Sequence, residues 1–262
     1  MPDLPADIRR LREEVLILGQ GLAERRADDP LLTFQPTPKQ AVFIDSVLRG
    51  LKPENWMIAA NRSGKSDAGA YCGAAFARFG GEPRPAYSEG GTVEVWDRAT
   101  SGWVSSLDAN VSRTVIEPKY FDNGHSAGLS HPPFIPKREI LEPFEGTGWR
   151  ISEKTLKLKN GSVIEFKSAE SGRSKYQGAE KDWVHLDEEH EKGIYEEIVI
   201  RVGSKPLRIF CTATLLPPLG QAGGVTWVYP EIIQKWEAGE LDRVGLFGAS
   251  IWDNPHILQE EL

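Results

Sequence analysis

Apolar residues recur at helical spacing near the start of the chain. Between residues 6 and 26 they stand three or four positions apart, at Ile8, Leu11, Val15, Leu18 and Leu22. This spacing puts them on one face of a helix. The pattern ends at Asp28-Asp29-Pro30, where proline prevents the helix from continuing. We therefore predict an amphipathic helical arm and assign it to residues 1–34.

Predicted helices and strands alternate through the rest of the chain. Helical periodicity runs from Ala41 to Leu48, and small residues from Ala68 to Ala77 predict a helix that packs closely on a sheet. Further helices are predicted at residues 194–202 and 226–239. Short apolar or alternating runs predict strands at residues 56–60, 92–96, 183–186, 207–211 and 244–251. This alternation is typical of a three-layer α/β fold, in which helices cover both faces of a mostly parallel sheet.

A β-hairpin and an irregular segment interrupt this alternation. Thr155 to Lys167 alternate in polarity around Asn160-Gly161, and Asn-Gly between alternating runs is a strong hairpin signal. The preceding segment, Asp122 to Pro143, is rich in Gly, Pro, Ser and His. We predict an inserted hairpin that follows a long irregular loop.

The strand at residues 56–60 runs directly into a motif that binds phosphate. The motif consists of Asn61, Arg62, Ser63, Gly64, Lys65 and Ser66. Such a loop points unpaired backbone N–H groups at an anion, and its glycine lets the backbone come close. Lys65 is then a ligand of the β- and γ-phosphates, and Ser66 is a ligand of Mg²⁺.

One position departs from the full phosphate-loop pattern. Glycine is usual six residues before the lysine, where this chain has Ala59. The six residues of the motif also fit a Gly-Lys-Ser on a surface turn. The predicted strand before them and the helix after them favour nucleotide binding, because that context confirms the motif.

Acidic residues follow the strand at residues 183–186. Asp187 at the strand's carboxyl end is able to hold the Mg²⁺ bound by Ser66, and Glu188 is able to take a proton from an attacking water. The same acids also fit the solvated first turn of a helix. Together with a phosphate loop about 120 residues earlier, they favour a site for ATP and Mg²⁺.

We predict structural roles, and not catalytic ones, for the residues beside these acids. We interpret His185, inside the predicted strand, as a core histidine with satisfied hydrogen bonds. Glu189, His190 and Glu191 are assigned to an exposed helix face.

Composition narrows the class of protein. The 262 residues carry a net charge of −7 and are 40% hydrophobic, which is enough for a sizeable core. Cys72 and Cys211 stand far apart, which indicates reduced thiols. No run approaches the ~20 apolar residues that span a bilayer, and the first residues do not resemble a signal peptide, so we expect a cytoplasmic protein without a membrane partner. The negative charge opposes electrostatic coating of nucleic acid but permits local contact.

Taken in order, these motifs resemble the ATPase domain of the large terminase subunit, the DNA-packaging motor of tailed bacteriophages. The similarity covers residues 34–258. Residues 60–66 resemble the Walker A motif of that family, and residues 183–188 resemble its Walker B motif with the catalytic glutamate.

Three further segments are similar to segments of the same family. Thr212 and Thr214, in Thr-Ala-Thr, resemble the coupling motif that senses the γ-phosphate. Phe34 and Gln40 resemble the adenine-recognition segment, in which the glutamine reads the base edge and the aromatic ring packs on the base. Residues 250–256 resemble the end of the ATPase domain.

The resemblance implies an architecture and an activity. It implies a RecA-like (ASCE) P-loop fold over residues 35–252, then at 253–262 the start of a linker toward a nuclease domain absent from this chain. The implied activity is ATP hydrolysis that drives double-stranded DNA into a prohead in the host cytoplasm. The implied partners are that DNA, the portal protein, the small terminase subunit and, in an active ring, further copies of a chain that is a monomer in isolation.

The family's arginine finger is not where the resemblance predicts it. An Arg-Gly pair often lies about ten residues before the Walker B aspartate, and this chain has Gln177-Gly178 there. Arg62 and Arg173 are the candidates for neutralising charge on the transferred phosphoryl group, and Arg138 and Arg150 are weaker ones.

A basic cluster around the hairpin is the candidate contact for DNA or a neighbouring subunit. A solvated charged face is an equal alternative there. The cluster consists of Lys154, Lys157, Lys159, Lys167, Arg173, Lys175 and Lys181.

Two other functions remain open for the same motifs. A helicase-like or other RecA-related DNA translocase has an identical nucleotide site. A nucleotide-binding assembly switch binds ATP without turnover, although Glu188 argues against it.

Overall fold

The computed structural model describes residues 29–79, 83–85, 92–94, 98–178, 180–201, 208–215 and 226–254. The predicted helical arm at residues 6–26 lies outside the described residues, as does the predicted linker beyond residue 254.

The described residues contain ten strands, of which eight form one sheet. The strands are β1 (Glu54–Ala59), β2 (Pro83–Pro85), β3 (Thr92–Glu94), β4 (Ser101–Ser106), β5 (Trp149–Arg150), β6 (Thr155–Lys157), β7 (Val163–Ser168), β8 (Trp183–Asp187), β9 (Ile209–Ala213) and β10 (Val244–Ala249). The large sheet has the order β10-β1-β9-β8-β4-β7-β6-β5. The first six strands in this order run parallel, and β6 and β5 are antiparallel. Strands β2 and β3 pair with each other in a separate sheet.

Helices connect these strands. They are α1 (Pro30–Thr33), α2 (Pro38–Arg49), α3 (Lys65–Phe79), α4 (Ala109–Val111), α5 (Glu117–Tyr120), α6 (Lys192–Arg201) and α7 (Gln234–Glu237). A π-helical segment, Ser112–Ile116, joins α4 to α5, and another, Tyr229–Ile233, leads into α7. The remaining helical turns are 3₁₀ segments at Lys137–Glu139, Ala169–Ser171, Arg173–Tyr176 and Ile251–Asp253. Among the described residues, none of these helices has the length and apolar character to cross a bilayer.

Side chains alternate between the two faces of the sheet and build a core on each. On β1, Met57 packs into the core that contains α2 and α3, whereas Trp56 packs into the core that contains α6. Successive strand residues point to opposite faces, so both cores follow from one strand pattern. The predicted three-layer α/β fold with a mostly parallel sheet is confirmed. Cys72 and Cys211 are free and buried, one in each core.

The hairpin around Asn160-Gly161 is present, and its position shows what it does for the sheet. Strands β6 and β7 pair antiparallel, with Leu156 opposite Ile164. Gly161 has φ 90°, which glycine adopts without strain. Because β7 also pairs parallel with β4, the hairpin extends the main sheet. The predicted irregular loop at 122–143 is also found, with one 3₁₀ turn at Lys137–Glu139.

Strand β4 lies in the middle of the sheet, and the sequence pattern did not predict it. Its residues, Ser-Gly-Trp-Val-Ser-Ser, are mostly small and polar, whereas buried parallel strands usually read as apolar runs. The reason is local space and hydrogen bonding. A Cβ on Gly102 would overlap the indole ring of Trp183 on β8. Ser105 is buried and hydrogen-bonded to Tyr176 and His190.

A chain of polar groups lies buried beneath α3. His185 on β8 is fully buried and stacked on Phe210, with ring centroids 5.3 Å apart. Its Nδ1 lies 2.9 Å from the Tyr120 hydroxyl and its Nε2 lies 3.0 Å from the Thr212 hydroxyl. His185 is therefore a hydrogen-bonded core histidine, as predicted.

Two glycines of α3 make room for this chain. A Cβ on Gly69 would overlap the His185 imidazole, and one on Gly73 would overlap the Tyr120 hydroxyl. Burial, reinforced by the nearby charges of His190 and Lys119, lowers the pKa of His185 to about 3. The imidazole is therefore neutral in the folded protein at neutral pH.

Adding one methyl group at Gly102 should destabilise the fold. We expect G102A to lower the free energy of unfolding by about 1–3 kcal/mol, because the Cβ overlaps Trp183 in a close-packed layer. The matched control is G248A on the edge strand β10, where a Cβ meets no atom within 4 Å. Urea unfolding measures both. A G102A protein as stable as G248A would contradict the packing.

The buried histidine should make stability depend on pH. In the unfolded chain His185 titrates near its ordinary pKa of about 6.5. As the pH falls from 6.5 toward pH 3, the unfolded state therefore binds a proton at this residue and the folded state does not. Stability from this group is complete above pH 6.5 and is lost as the pH falls. We expect H185Q to reduce the slope of unfolding free energy between pH 6 and 5 by up to about 1.4 kcal/mol per pH unit. H125Q, at an exposed histidine, is the matched control for the loss of a histidine.

Candidate functional site

The predicted phosphate loop connects β1 to α3. Arg62 and Gly64 have φ of 62° and 77°, so the loop turns back sharply before α3 begins at Lys65. A Cβ on Gly64 would overlap the side-chain amide of Gln40. Ser63 is buried, and its hydroxyl has no hydrogen-bond partner among the described residues. The strand, loop and helix thus follow each other as predicted.

Glu188 lies between the loop and strand β9. One of its carboxylate oxygens is 2.9 Å from the ammonium of Lys65. The other accepts a hydrogen bond of 2.7 Å from the backbone N–H of Thr214. The Thr214 hydroxyl in turn donates to Asn61 of the loop at 3.1 Å. The ends of β1, β8 and β9 therefore meet at one carboxylate.

Asp187 lies next to Glu188 but is deeply buried, with 3% of its surface exposed. It accepts a hydrogen bond of 2.8 Å from the Thr212 hydroxyl, which is itself the partner of His185. Ser66 also hydrogen-bonds to it. Burial raises the pKa of Asp187, and these hydrogen bonds and Lys65 oppose that shift.

The oxygens of Ser66 and Asp187 fit a magnesium ion. Mg²⁺ prefers hard oxygen ligands and is usually held by one or two carboxylates together with substrate phosphates. Among the described residues, no three His, Cys, Asp or Glu side chains gather to hold a metal by themselves. An ion at this position would therefore depend on nucleotide oxygens.

Backbone geometry and a second histidine hold Glu188 in position. Its φ of 68° is rare for a residue other than glycine and costs about 1–3 kcal/mol. Nδ1 of His190 lies 3.0 Å from the Glu188 carbonyl, and Nε2 lies 2.7 Å from Ser105. Burial lowers the pKa of His190. The predicted exposed helix face at residues 189–191 is wrong, because α6 begins only at Lys192. Glu189 is half-buried, His190 is buried beneath the acidic turn, and only Glu191 is exposed.

Two cavities adjoin the loop. The first, of about 280 Å³, is lined by Phe34, Gln40 and His131 among others. The second, of about 320 Å³, is lined by Arg62, Lys65 and Ser66 and by Lys119 of α5 among others. Both cavities share the lining residues Gly64, Asp67 and Asn254.

The residues predicted to read a base lie in the first cavity. Phe34 packs against Tyr71, His131 and Phe134, with ring centroids 5.2–5.5 Å apart. The Gln40 amide donates to the Gly64 carbonyl at 2.8 Å, and its oxygen accepts from the Thr37 N–H at 2.7 Å. Gln40 thus links the start of α2 to the phosphate loop.

Several residues of the site had no motif to indicate them. Lys119 on α5 forms an ion pair with Asp67, and Nε2 of His131 lies 3.1 Å from the same carboxylate. Asn254 donates to the Arg62 carbonyl at 2.5 Å. Lys119 and His131 come from distant parts of the chain, and only the position of Asp67, directly after Ser66, could have drawn attention to them. Asn254 lies in residues 250–256, whose resemblance to the end of the ATPase domain gave it no role in the site.

Arg173 and the basic cluster lie apart from this group. The Arg173 guanidinium pairs with Glu197 on α6 at 2.9 Å. Lys181 pairs with Glu165 and donates to Ser101, and Lys167 lies 4.8 Å from the Trp103 ring centroid. Both lysines therefore have structural partners, whereas Lys159 and Lys175 are exposed and Lys157 is half-buried.

Solved structures of large terminases have the same fold. The large terminase of a thermophilic bacteriophage in complex with ADP has a TM-score of 0.55 and 14% identity over 86% of this chain. The complex of that terminase with ATP-gamma-S has a TM-score of 0.55 and 10% identity over 87%. The large terminase of bacteriophage HK97 has a TM-score of 0.53 and 13% identity over 81%.

The similarity is one of structure, and it covers only part of each terminase. No protein-family model and no curated protein matches this chain. The chain spans 48% of the thermophilic phage's terminase in both complexes and 39% of the HK97 protein. Over that part, the chain has the P-loop-like α/β fold of bacteriophage large terminases.

Proposed function

We propose that this chain hydrolyses ATP and uses the reaction to move double-stranded DNA in viral packaging. One observation carries the proposal: Lys65, Glu188 and Thr214 meet at the carboxyl ends of three parallel strands. Ligands of open α/β sheets bind at that edge. The terminase fold, found in complexes with ADP and ATP-gamma-S, supports a nucleotide as the ligand.

In this proposal the two cavities divide the nucleotide between them. The base enters the cavity beside Phe34, where an aromatic face is available for packing. The phosphates enter the cavity of Lys65 and Arg62, at the start of α3, where the helix dipole adds to the attraction. Gln40 connects both, because it lines the first cavity and bonds the Gly64 carbonyl.

Ser66 and Asp187 would hold the magnesium ion that accompanies ATP. When bound, the ion neutralises charge on the β- and γ-phosphate oxygens. The buried Asp187 is oriented for this by Thr212, and Thr212 is oriented by His185.

Glu188 is the proposed general base. Its carboxylate takes a proton from the water that attacks the γ-phosphate, and its positive φ and His190 keep it from moving away. Lys65 neutralises this carboxylate at a distance of 2.9 Å. Phosphates that attract Lys65 would free Glu188 to act on water.

Thr214 is the proposed link from hydrolysis to movement. It contacts Asn61 of the loop and Glu188, so a change at the γ-phosphate reaches the end of β9 directly. Residues 216–225 follow on the chain. The proposed assembly is a ring that works with a portal protein and a small terminase subunit, in which Arg62 acts within its own subunit and exposed Arg173 is available to a neighbour.

Removing the base should separate binding from turnover. We expect E188Q to bind ATP while hydrolysis falls by about 100-fold or more, because a general base contributes that much. K65A should lose both, through loss of its phosphate contact. The control is E191Q, an exposed glutamate three residues away, with wild-type activity expected. Phosphate release and nucleotide titration measure these effects. Unchanged hydrolysis in both K65A and E188Q would refute the site, and binding without turnover in the wild type would indicate an assembly switch.

The DNA proposal has its own test. We expect double-stranded DNA to stimulate hydrolysis, and the double variant K157A/K159A to bind it more weakly, with a salt slope smaller by about two. K192A, at an exposed lysine paired with Glu231, is the control. Unchanged salt-dependent binding would remove the hairpin from the DNA contact. Stimulation by single-stranded DNA alone would favour the helicase-like alternative.

A further inference from the structure

We propose that Lys119 is a second phosphate-binding lysine, held by Asp67 until a nucleoside triphosphate takes it over. This inference rests on the proposed ATP site and adds to it a residue outside the phosphate loop. Lys119 lies on α5 and lines the cavity that also contains Arg62, Lys65 and Ser66. Its side chain is 13% exposed, so its ammonium is confined to this cavity rather than to bulk water.

The backbone around Lys119 is fixed. The Lys119 carbonyl accepts a hydrogen bond of 2.9 Å from Phe134, and the Tyr120 carbonyl accepts one of 2.7 Å from Ile135. Tyr120 is itself buried over Gly73 and bonded to His185. The α5 helix therefore presents Lys119 from a rigid position, and only the side chain has to move to reach a phosphate.

The partner of Lys119 indicates what would displace it. Asp67 stands in the first turn of α3, directly after Ser66, and lines both cavities. Its carboxylate has Lys119 and Nε2 of His131 as partners on the same oxygen, beside the place proposed for phosphates. An entering triphosphate competes with this carboxylate for Lys119, as it competes with Glu188 for Lys65.

His131 allows that exchange. Its Nε2 lies 3.1 Å from the same Asp67 oxygen that Lys119 contacts. If Lys119 turns to a phosphate, Asp67 keeps this second partner in the forms of His131 that carry a proton on Nε2, so the carboxylate is not left without a hydrogen bond. Lys119 thereby supplies positive charge from the same subunit. Gln177, the residue at the position of the family's arginine finger, supplies none.

Two substitutions at the pair distinguish phosphate binding from a structural ion pair. We expect K119A to weaken binding of ATP and ADP by about 10-fold or more, as for a lost charge-assisted hydrogen bond, while adenosine binds as in the wild type. D67N should keep or increase the affinity for ATP, because it removes the competing carboxylate. K119R should recover most of the binding lost in K119A, since it restores the charge. The control is K235A, which removes a lysine of α7 that is paired with Glu231.

The outcomes are separable. Equal losses of ATP affinity in K119A and D67N, with equal losses of thermal stability, would mean a structural ion pair and overturn the proposal. Wild-type binding of ATP by K119A would overturn it as well. A wild-type chain that binds no ATP at all would instead refute the nucleotide site on which the inference rests.

Discussion

The ion pair between Lys65 and Glu188 is the contact on which the arrangement of the site depends. It joins the start of α3 to the end of β8, and through Thr214 it reaches the end of β9. Glu188 holds this position at the cost of a positive φ, and such strain persists only where the surroundings over-determine it. Here the surroundings are the Thr212 carbonyl, which accepts the Glu188 N–H at 2.8 Å, and His190 below the turn.

Glycines of α3 and β4 allow the close packing beneath the site on which this arrangement rests. Gly69 and Gly73 let the helix lie over His185 and Tyr120, and Gly102 lets β4 lie against Trp183. A polar chain of this kind is stable in a core only when each member has a partner. The hydroxyl of Thr212 meets that condition by lying between His185 and Asp187, so the carboxylate proposed to hold the metal is aligned by groups that never touch solvent.

Those parts of the molecule that are governed by short-range rules were predictable from the sequence. The hairpin follows from Asn160-Gly161, and the strand, loop and helix around Lys65 follow from a contiguous motif. Strand β4 was not predictable, because its small and polar residues are explained by side chains that are distant in the sequence. Gly102 leaves room for Trp183, and Ser105 hydrogen-bonds to Tyr176 and His190. The pair of Lys119 with Asp67 spans 52 residues and has no spacing rule. The burial of His190 was not predictable, because the acids beside it indicate the first turn of a helix. The helix that is present, α6, begins two residues after His190.

The contact between Lys65 and Glu188 also bears on which anions can enter. The lysine already has an anionic partner 2.9 Å away, so its charge is already paired within the protein. An entering anion must bind Lys65 more strongly than the Glu188 carboxylate does. The selectivity for that anion is the difference between these two affinities. A small singly charged ion such as chloride offers little more, whereas a polyphosphate gains the lysine, the loop and the helix start together. In the proposed nucleotide site, the internal pair would therefore select against the simple salts that surround every protein.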